Sequence, residues 1–230
     1  HAPSNKGIDC ACGSGTSTRK LRRLGFDVTG VDISEEMLKT AQEVSIKDGL
    51  NINYVKQDMK RLKSLEKVGF ITAINDGFNY LLPSEIKKTL TSFNKCLIKG
   101  GLLVFDVSTE YKMQTILDGQ MYGDNSEDVS YMWLSEYDKD KKSLAITLTF
   151  FEKDGKTYRR FDEEQVQYCH SVEDIKDSLT QTGFEILNVT DELNNQYNQK
   201  IKHPTKHKFT PKTFHTTCFH FKRNTTCSYS

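Results

Sequence analysis

Four residues near the start of this chain have the types and spacing for nucleotide chemistry: Asp9, Gly13, Gly15 and Asp32. The stretch reads Asp9-Cys10-Ala11-Cys12-Gly13-Ser14-Gly15-Thr16, then a basic and apolar run, then Val28-Thr29-Gly30-Val31-Asp32. Glycine lacks a Cβ, so Gly13 and Gly15 let the backbone take positive φ and approach a ligand closely. Asp32 follows Gly15 by seventeen residues. A carboxylate there can accept both hydroxyls of a ribose, each charge-assisted bond being worth about 1.5–3 kcal/mol. Positioning these groups takes a buried strand ending near Asp9, a tight glycine turn, a helix, and a second strand ending on an acid. That is the opening βαβ unit of a nucleotide-binding α/β sheet.

Two ligand classes fit such a unit: a dinucleotide, or S-adenosylmethionine. A dinucleotide site wants Gly-x-Gly-x-x-Gly, because the pyrophosphate sits on the helix N-terminus. Gly13 and Gly15 satisfy the first two positions, but the third is Thr18. This weighs against an NAD-dependent oxidoreductase. The loop instead carries an acid four residues before Gly13, in the pattern Asp-x-Ala-x-Gly-x-Gly.

The stretch resembles motif I of the class I S-adenosylmethionine-dependent methyltransferases, and Val28 to Leu38 resembles the segment that follows it. Over roughly residues 7 to 190 the chain is similar to small stand-alone bacterial methyltransferases of the methyltransferase-domain family. The resemblance implies S-adenosylmethionine as cofactor and assigns roles position by position. Asp9 matches the acid that helps hold the amino-acid end. Ala11, Gly13 and Gly15 match the loop under the ligand, with Ala11 where many relatives have glycine. Asp32, with Ile33 beside it, matches the ribose acid. Asp58, with Met59, matches the motif that sets a carboxylate against the adenine amino group and an apolar side chain against the ring. Asn75-Asp76-Gly77-Phe78-Asn79-Tyr80 matches the segment bordering the transferred methyl. Taken singly, each acid also suits a helix cap or a surface turn.

Strand and helix patterns alternate through residue 107, which calls for a doubly wound, mostly parallel sheet. Strands are expected over Gly7–Cys10, Asp27–Val31, Ile52–Val55, Val68–Ile74 and Leu102–Val107, with helices over Thr16–Leu24, from Ser34, and from Ser84 to Cys96. Met37, Leu38, Ala41, Val44 and Ile46 form the expected inner face of the second helix. Leu21 and Leu24 do so for the first. Asp9, Asp32, Asp58, Asn75-Asp76 and Asp106 then all fall at the carboxyl ends of strands, where such sheets bind ligands. From Asp128 to Tyr168 three strands with short links form an antiparallel meander inserted in the sheet. A helix from Ser171 and a strand over Phe184–Val189 return to it, and Thr213–Phe221 suits a last antiparallel strand. The expected fold is a seven-stranded Rossmann-like methyltransferase sheet with a small antiparallel lid. Its expected divisions are a core at 1–108, a lid at 109–169, a return at 170–192, and a basic tail at 193–230.

The reaction would be in-line attack on the sulfonium methyl, with Asp76, Tyr80 and His170 as candidate bases. For His170 a surface place at a helix start is the plainer reading. Substrate choice is expected from the insertion, with Tyr111, Trp133, Arg159 and Arg160 as candidates. An arginine facing the chamber would suit a carboxylate or phosphate. Enzymes that methylate exocyclic base amines commonly show Pro-Pro-aromatic after the fourth strand. Asn75-Asp76-Gly77-Phe78 does not, so a small-molecule acceptor is favoured over nucleic acid.

Composition sets outer bounds. Charged residues are 27%, hydrophobic ones 36%, and mean hydropathy is −0.60. The apolar runs are too short to span a bilayer. Six scattered cysteines include no second pair that would support zinc, so no metal is expected, and a reducing cytoplasmic setting is. The net charge of +1 hides an asymmetry: beyond Glu192 there are seven Lys or Arg and no acid, which leaves −6 on the rest. That argues against a broad nucleic-acid surface on the main body, while the tail suits either a polyanion or a solvated terminus. Eight residues precede Asp9 where relatives carry a few tens more, including a covering helix, so the chain reads as N-terminally short. Two alternatives to an active small-molecule enzyme therefore stand: a non-catalytic cofactor binder without its lid helix, and a nucleic-acid methyltransferase using the tail.

Overall fold

The computed structural model describes residues 2–190 and a strand at 216–223. Most of the basic tail lies outside these residues.

Seven strands build the main sheet: β1 (Lys6–Cys10), β2 (Asp27–Asp32), β3 (Asn53–Lys56), β4 (Val68–Ala73), β5 (Leu97–Ser108), β10 (Phe184–Thr190) and β11 (Thr216–Arg223). Their order is β10-β11-β5-β4-β1-β2-β3. The five N-terminal strands are parallel, and β11 runs antiparallel between β10 and β5. The order reverses between β1 and β4, so the tips of β1, β2 and β4 share one edge, where ligands bind in open α/β sheets. Val68–Ala73 is buried at every position, as a central parallel strand must be.

Helices α1 (Thr16–Arg23), α2 (Glu35–Lys47), α3 (Ile86–Cys96) and α5 (Val172–Gln181) cover the sheet. Ile86, Leu90 and Phe93 of α3 and Val172, Ile175 and Leu179 of α5 share one core cluster with Ile71, Phe105 and Phe184. The Phe78 ring stacks on Phe105 at 4.0 Å and fixes the chain just past β4 onto β5.

Three local expectations change. On α2 the buried positions are Leu38, Ala41 and Ser45, while Met37 and Ile46 are 49% and 65% exposed. The helix turns its stripe toward Tyr54, whose hydroxyl lies 3.0 Å from that of Ser45. On α1 only Thr18 is buried, and Leu24 is 74% exposed. Ser84 does not cap α3. A 3-10 turn over Pro83–Glu85 intervenes, and the Glu85 carboxylate accepts the Leu82 N–H instead.

The insertion is a four-stranded antiparallel sheet: β6 (Gln120–Asn125), β7 (Val129–Asp138), β8 (Ser143–Asp154) and β9 (Thr157–Tyr168), in that order. The expectation of three strands missed β6, which is polar, half of it Gly-Asp-Asn, and mostly exposed. A short helix α4 (Glu110–Lys112) running into a π turn at Met113–Leu117 joins β5 to this sheet. Met113 and Leu117 form a second small core with Leu144, Ile146 and Cys169. Directly opposed residues of antiparallel strands share a face. The register therefore places Tyr122, Trp133, Leu148 and Glu163 on the inner face, with Tyr131, Phe150 and Phe161 one rung farther out. Among the described residues no helix is long and apolar enough to cross a membrane.

Candidate active site

The glycine loop leaves β1 through a left-handed step at Ala11 (φ 51°) and returns at Gly13 and Gly15. Gly13 has φ 53°, and a Cβ placed there would meet nothing within 4 Å, so this backbone is open to a ligand. Gly15 has φ 77°, and a Cβ there would lie 2.4 Å from the Tyr54 hydroxyl, so any larger residue must displace the Tyr54 side chain. The Gly13 N–H donates to Asp32 Oδ2 at 2.7 Å, and the Ser34 N–H donates to Oδ1 at 2.9 Å. Asp32 is thereby held at the tip of β2, against the loop. Ile33 beside it is 65% exposed, an apolar side chain free to cover a ring.

Asp9 is 1% exposed. Its two oxygens accept the hydroxyls of Thr18 at 2.6 Å and Thr72 at 2.7 Å. Burial raises its pKa despite both donors. In this state Asp9 acts as an internal strut tying β1 to α1 and β4. Thr18, which occupies the place of the third dinucleotide glycine, is thus a positive feature of the loop. That substitution was the one signal in the sequence that could have pointed to it. Cys12 is half-buried between the Asp9 and Asp32 carboxylates, and burial pushes its thiol up to about 12. It is an inert wall of the loop.

Asp58 follows β3 and caps a one-turn helix at Met59–Arg61, its carboxylate accepting the Lys60 N–H at 2.9 Å. Met59 packs against the main core. The Gln57 N–H donates to the Asp32 carbonyl at 3.0 Å, which sets this turn beside the tip of β2.

After β4, Asn75 and Asp76 take consecutive left-handed conformations, φ 68° and 60°. Each such non-glycine residue costs of order 1–3 kcal/mol. The turn is held by Asp106 Oδ1, which accepts the Asp76 N–H at 3.0 Å. The ammonium of buried Lys112, from α4, lies 3.4 Å from Asp76 Oδ2. Asp76 Oδ1 is buried without a partner among the described residues. Burial first, then the Asp76 charge, raises the Asp106 carboxyl to about 6. Asn79 is fully buried and joins three segments: its amide donates to the Ser108 and Tyr168 carbonyls and accepts the Ser108 N–H. The Tyr80 hydroxyl then reaches the insertion, donating to Gln165 Oε1 on β9 at 2.8 Å. Burial raises the Tyr80 phenol further.

The other predicted residues fall in different places. His170 is buried, not at the surface. Its Nε2 lies 3.0 Å from the Phe78 carbonyl, and burial lowers its pKa. It lines a cavity of about 540 Å³ with Pro83, Ile86, Glu110 and Cys169, away from the glycine loop, Asp32 and Asp58. Tyr111 is 47% exposed on α4. Trp133 stands on the inner face of the inserted sheet, edge-on to Tyr122 at 5.9 Å, with its Nε1 buried and unpartnered among the described residues. Arg159 and Arg160 point to opposite faces near the distal hairpin, paired with Glu152 and Asp162. Neither is brought to the strand tips. Sequence reasoning passed over Lys112 and Gln165, which no motif marks; Glu163 lies in the segment Tyr158–Glu164, which resembles a stretch of some small bacterial relatives, but was given no role.

Comparison with known proteins agrees with this geometry. A family model described as "Methyltransferase domain" matches residues 8–101. A candidate methyltransferase of Geobacillus sp. (strain WCH70) is 36% identical over 186 residues, covering 80% of this chain and 75% of that protein. YqeM of Bacillus subtilis (strain 168), also a candidate methyltransferase, is 33% identical over 185 residues, 80% of this chain and 74% of its own. A crystal structure of an S-adenosylmethionine-dependent methyltransferase from Clostridium acetobutylicum ATCC 824 superposes with a TM-score of 0.80 at 26% identity, covering 95% of this chain and 84% of that one. With homology that runs well beyond the glycine loop and through the insertion, the chain belongs to the class I S-adenosylmethionine-dependent methyltransferases, and S-adenosylmethionine is its cofactor.

Proposed function

We propose that the chain methylates a small-molecule acceptor held between the turn after β4 and the inserted sheet at 109–169, which serves as the substrate subdomain. The observation that carries this reading is the Tyr80–Gln165 hydrogen bond. It joins the methyl-bordering turn of the core to an edge strand of the insertion and so closes one wall of a chamber over the strand tips.

On this reading Asp32 holds the ribose, and Ile33 and Met59 flank the adenine. Asp58 receives the adenine amino group. Ala11, Gly13 and Gly15 pass beneath the ligand, with Asp9 propping them from below. Asn75 borders the transferred group. When bound, S-adenosylmethionine supplies an electrophilic methyl on a positively charged sulfur. The chain's own work is positioning, which can contribute roughly 7–11 kcal/mol when two partners are held in near-attack geometry. Phe78 and Asn79 fix the turn that carries Asp76 and Tyr80, and the aromatic inner face of the insertion keeps the chamber dry. A dry chamber favours a reaction that disperses the sulfonium charge.

The test is transfer of labelled methyl from S-adenosylmethionine to a broad panel of small metabolites. Turnover of at least one, reduced in Tyr80→Phe, supports the reading. Methylation of RNA or DNA alone contradicts it.

A further inference from the structure

We propose that the methyl acceptor is an amine, recognised by the carboxylates of Asp76 and Glu163 near Tyr80. This deepens the function proposed above and rests on it.

Three observations carry the inference. The first is the charge of the chamber wall. Asp76 opens the one-turn helix that ends at Tyr80, and Glu163 is linked to the Tyr80 hydroxyl through the Gln165 side chain. Asp106 lies behind Asp76, its carboxyl raised further by the Asp76 charge. Against these three carboxylates stands the ammonium of Lys112, already paired with Asp76. Arg159 shares the inner face of β9 with Glu163 but lies near the distal hairpin, paired with Glu152, and Arg160 pairs with Asp162 on the outer face. An anionic acceptor would meet like charge here, whereas a cationic or amino-bearing one meets its complement.

The second observation is the polar edge of β9. Gln167, Gln165 and Glu163 alternate along the inner face. Tyr80 donates to Gln165 Oε1, which leaves the Gln165 amide to donate to Glu163 Oε1 at 2.6 Å. Glu163 has no salt bridge among the described residues. Its remaining lone pairs are acceptors with fixed direction, suited to N–H donors. Trp133 lies on the same rung, across β8, and the stacked pair Phe150–Phe161, ring centroids 5.0 Å apart, on the next rung. Such faces attract a cation through the ring quadrupole.

The third is a carboxylate to take the acceptor's proton. An amine held by carboxylates and aromatic faces is held as its ammonium, and it must lose one proton before its nitrogen attacks. His170 is the one histidine whose side chain is described, and it is buried against the Phe78 carbonyl. The partly exposed Asp76 carboxylate takes this proton. The N–C bond then forms as the S–C bond breaks, and the bonding pair leaves with sulfur. The product departs as its N-methylammonium, and Asp76 returns its proton to water.

The experiment offers the chain labelled S-adenosylmethionine with matched sets of primary amines, amino sugars, phenols, alcohols and carboxylates. S-Adenosylmethionine affinity is measured separately by calorimetry. The proposal expects turnover of amines in preference to every other set. Glu163→Gln should raise the amine KM about tenfold and leave kcat and cofactor affinity within about twofold. Asp76→Asn should lower kcat more than it raises KM. In parallel, amine binding to the chain saturated with S-adenosylhomocysteine should weaken about tenfold in Glu163→Gln, a readout independent of turnover. Preferred methylation of a phenol or carboxylate overturns the proposal. So does a chain that binds S-adenosylmethionine but turns over no amine, or a Glu163→Gln variant with an unchanged amine KM. If S-adenosylmethionine itself fails to bind, the function proposed above falls, and this inference falls with it.

Discussion

Replacing Asp106 with asparagine tests how the acceptor side of the site is held together. The Asp106 carboxyl is raised from 3.8 to about 6, first by burial and then by the Asp76 charge. The backbone N–H groups of Asp76 and Asn75, and the Lys112 charge, offset only part of this. The folded chain therefore keeps its proton on Asp106 up to about pH 6, while the unfolded chain releases it near 3.8. Between those values the folded state binds more protons, so stability is greatest below the window and falls as pH rises through it. A shift of about two units corresponds to at most about 3 kcal/mol at neutral pH. Asparagine keeps an oxygen for the Asp76 N–H but carries no charge. Asp106→Asn should therefore be more stable than its parent above pH 6, by up to about 3 kcal/mol. For a chain of this size that is about 6–12 °C in Tm. The advantage should vanish below about pH 4. The same change replaces a charge-assisted hydrogen bond with a neutral one beneath two left-handed residues, a loss of about 1 kcal/mol. Activity at pH 8 should accordingly drop several-fold even as Tm rises. Thermal unfolding of both proteins from pH 4 to 8, followed by circular dichroism, checks the stability claim. A variant less stable than the parent at pH 8, or a parent whose stability does not fall between pH 4 and 6.5, refutes the reasoning.

Two further substitutions probe the scaffold. Gly15→Ala should cost about 1–3 kcal/mol, because the residue holds φ 77° and its Cβ would lie 2.4 Å from the Tyr54 hydroxyl. Urea unfolding should show the loss, with partial recovery in the Gly15→Ala, Tyr54→Phe double variant, and an unchanged midpoint would contradict it. Asn79→Ala removes three hydrogen bonds at a buried junction and should destabilise the chain by about 2–4 kcal/mol. Because one of those bonds anchors the end of β9, amide exchange near Tyr168 should also quicken. Protection there equal to the parent's would show that Asn79 does not couple the core to the insertion.

The core was legible in the sequence because its signals are local. Apolar runs bounded by glycines and capping serines marked β1 to β4 and the second half of β5, which begins at Leu97 rather than Leu102, and the Asp9–Gly15 spacing marked the turn between β1 and α1. The antiparallel last strand was also legible, displaced by two or three residues. Long-range features were harder to see. β6 forms only because β7 offers it a partner, and its own residues favour a loop. The burial of Thr18 and Ser45 depends on Asp9 and Tyr54, partners brought in by other strands. His170 looked like a surface residue because it precedes a helix cap. It is buried because the turn after β4 presents a carbonyl to it. Alternation alone puts Arg159 and Arg160 on opposite faces, but which face each takes follows from the strand register.

The most direct test of the central claim is titration calorimetry of the chain with S-adenosylmethionine, beside Asp32→Ala. The geometry predicts saturable binding at a single site. Asp32→Ala should weaken it at least about thirtyfold, the equivalent of about 2 kcal/mol for the lost ribose contacts and the loosened Gly13 loop. No heat of binding at millimolar ligand, or an Asp32→Ala variant that binds like the parent, would contradict the account.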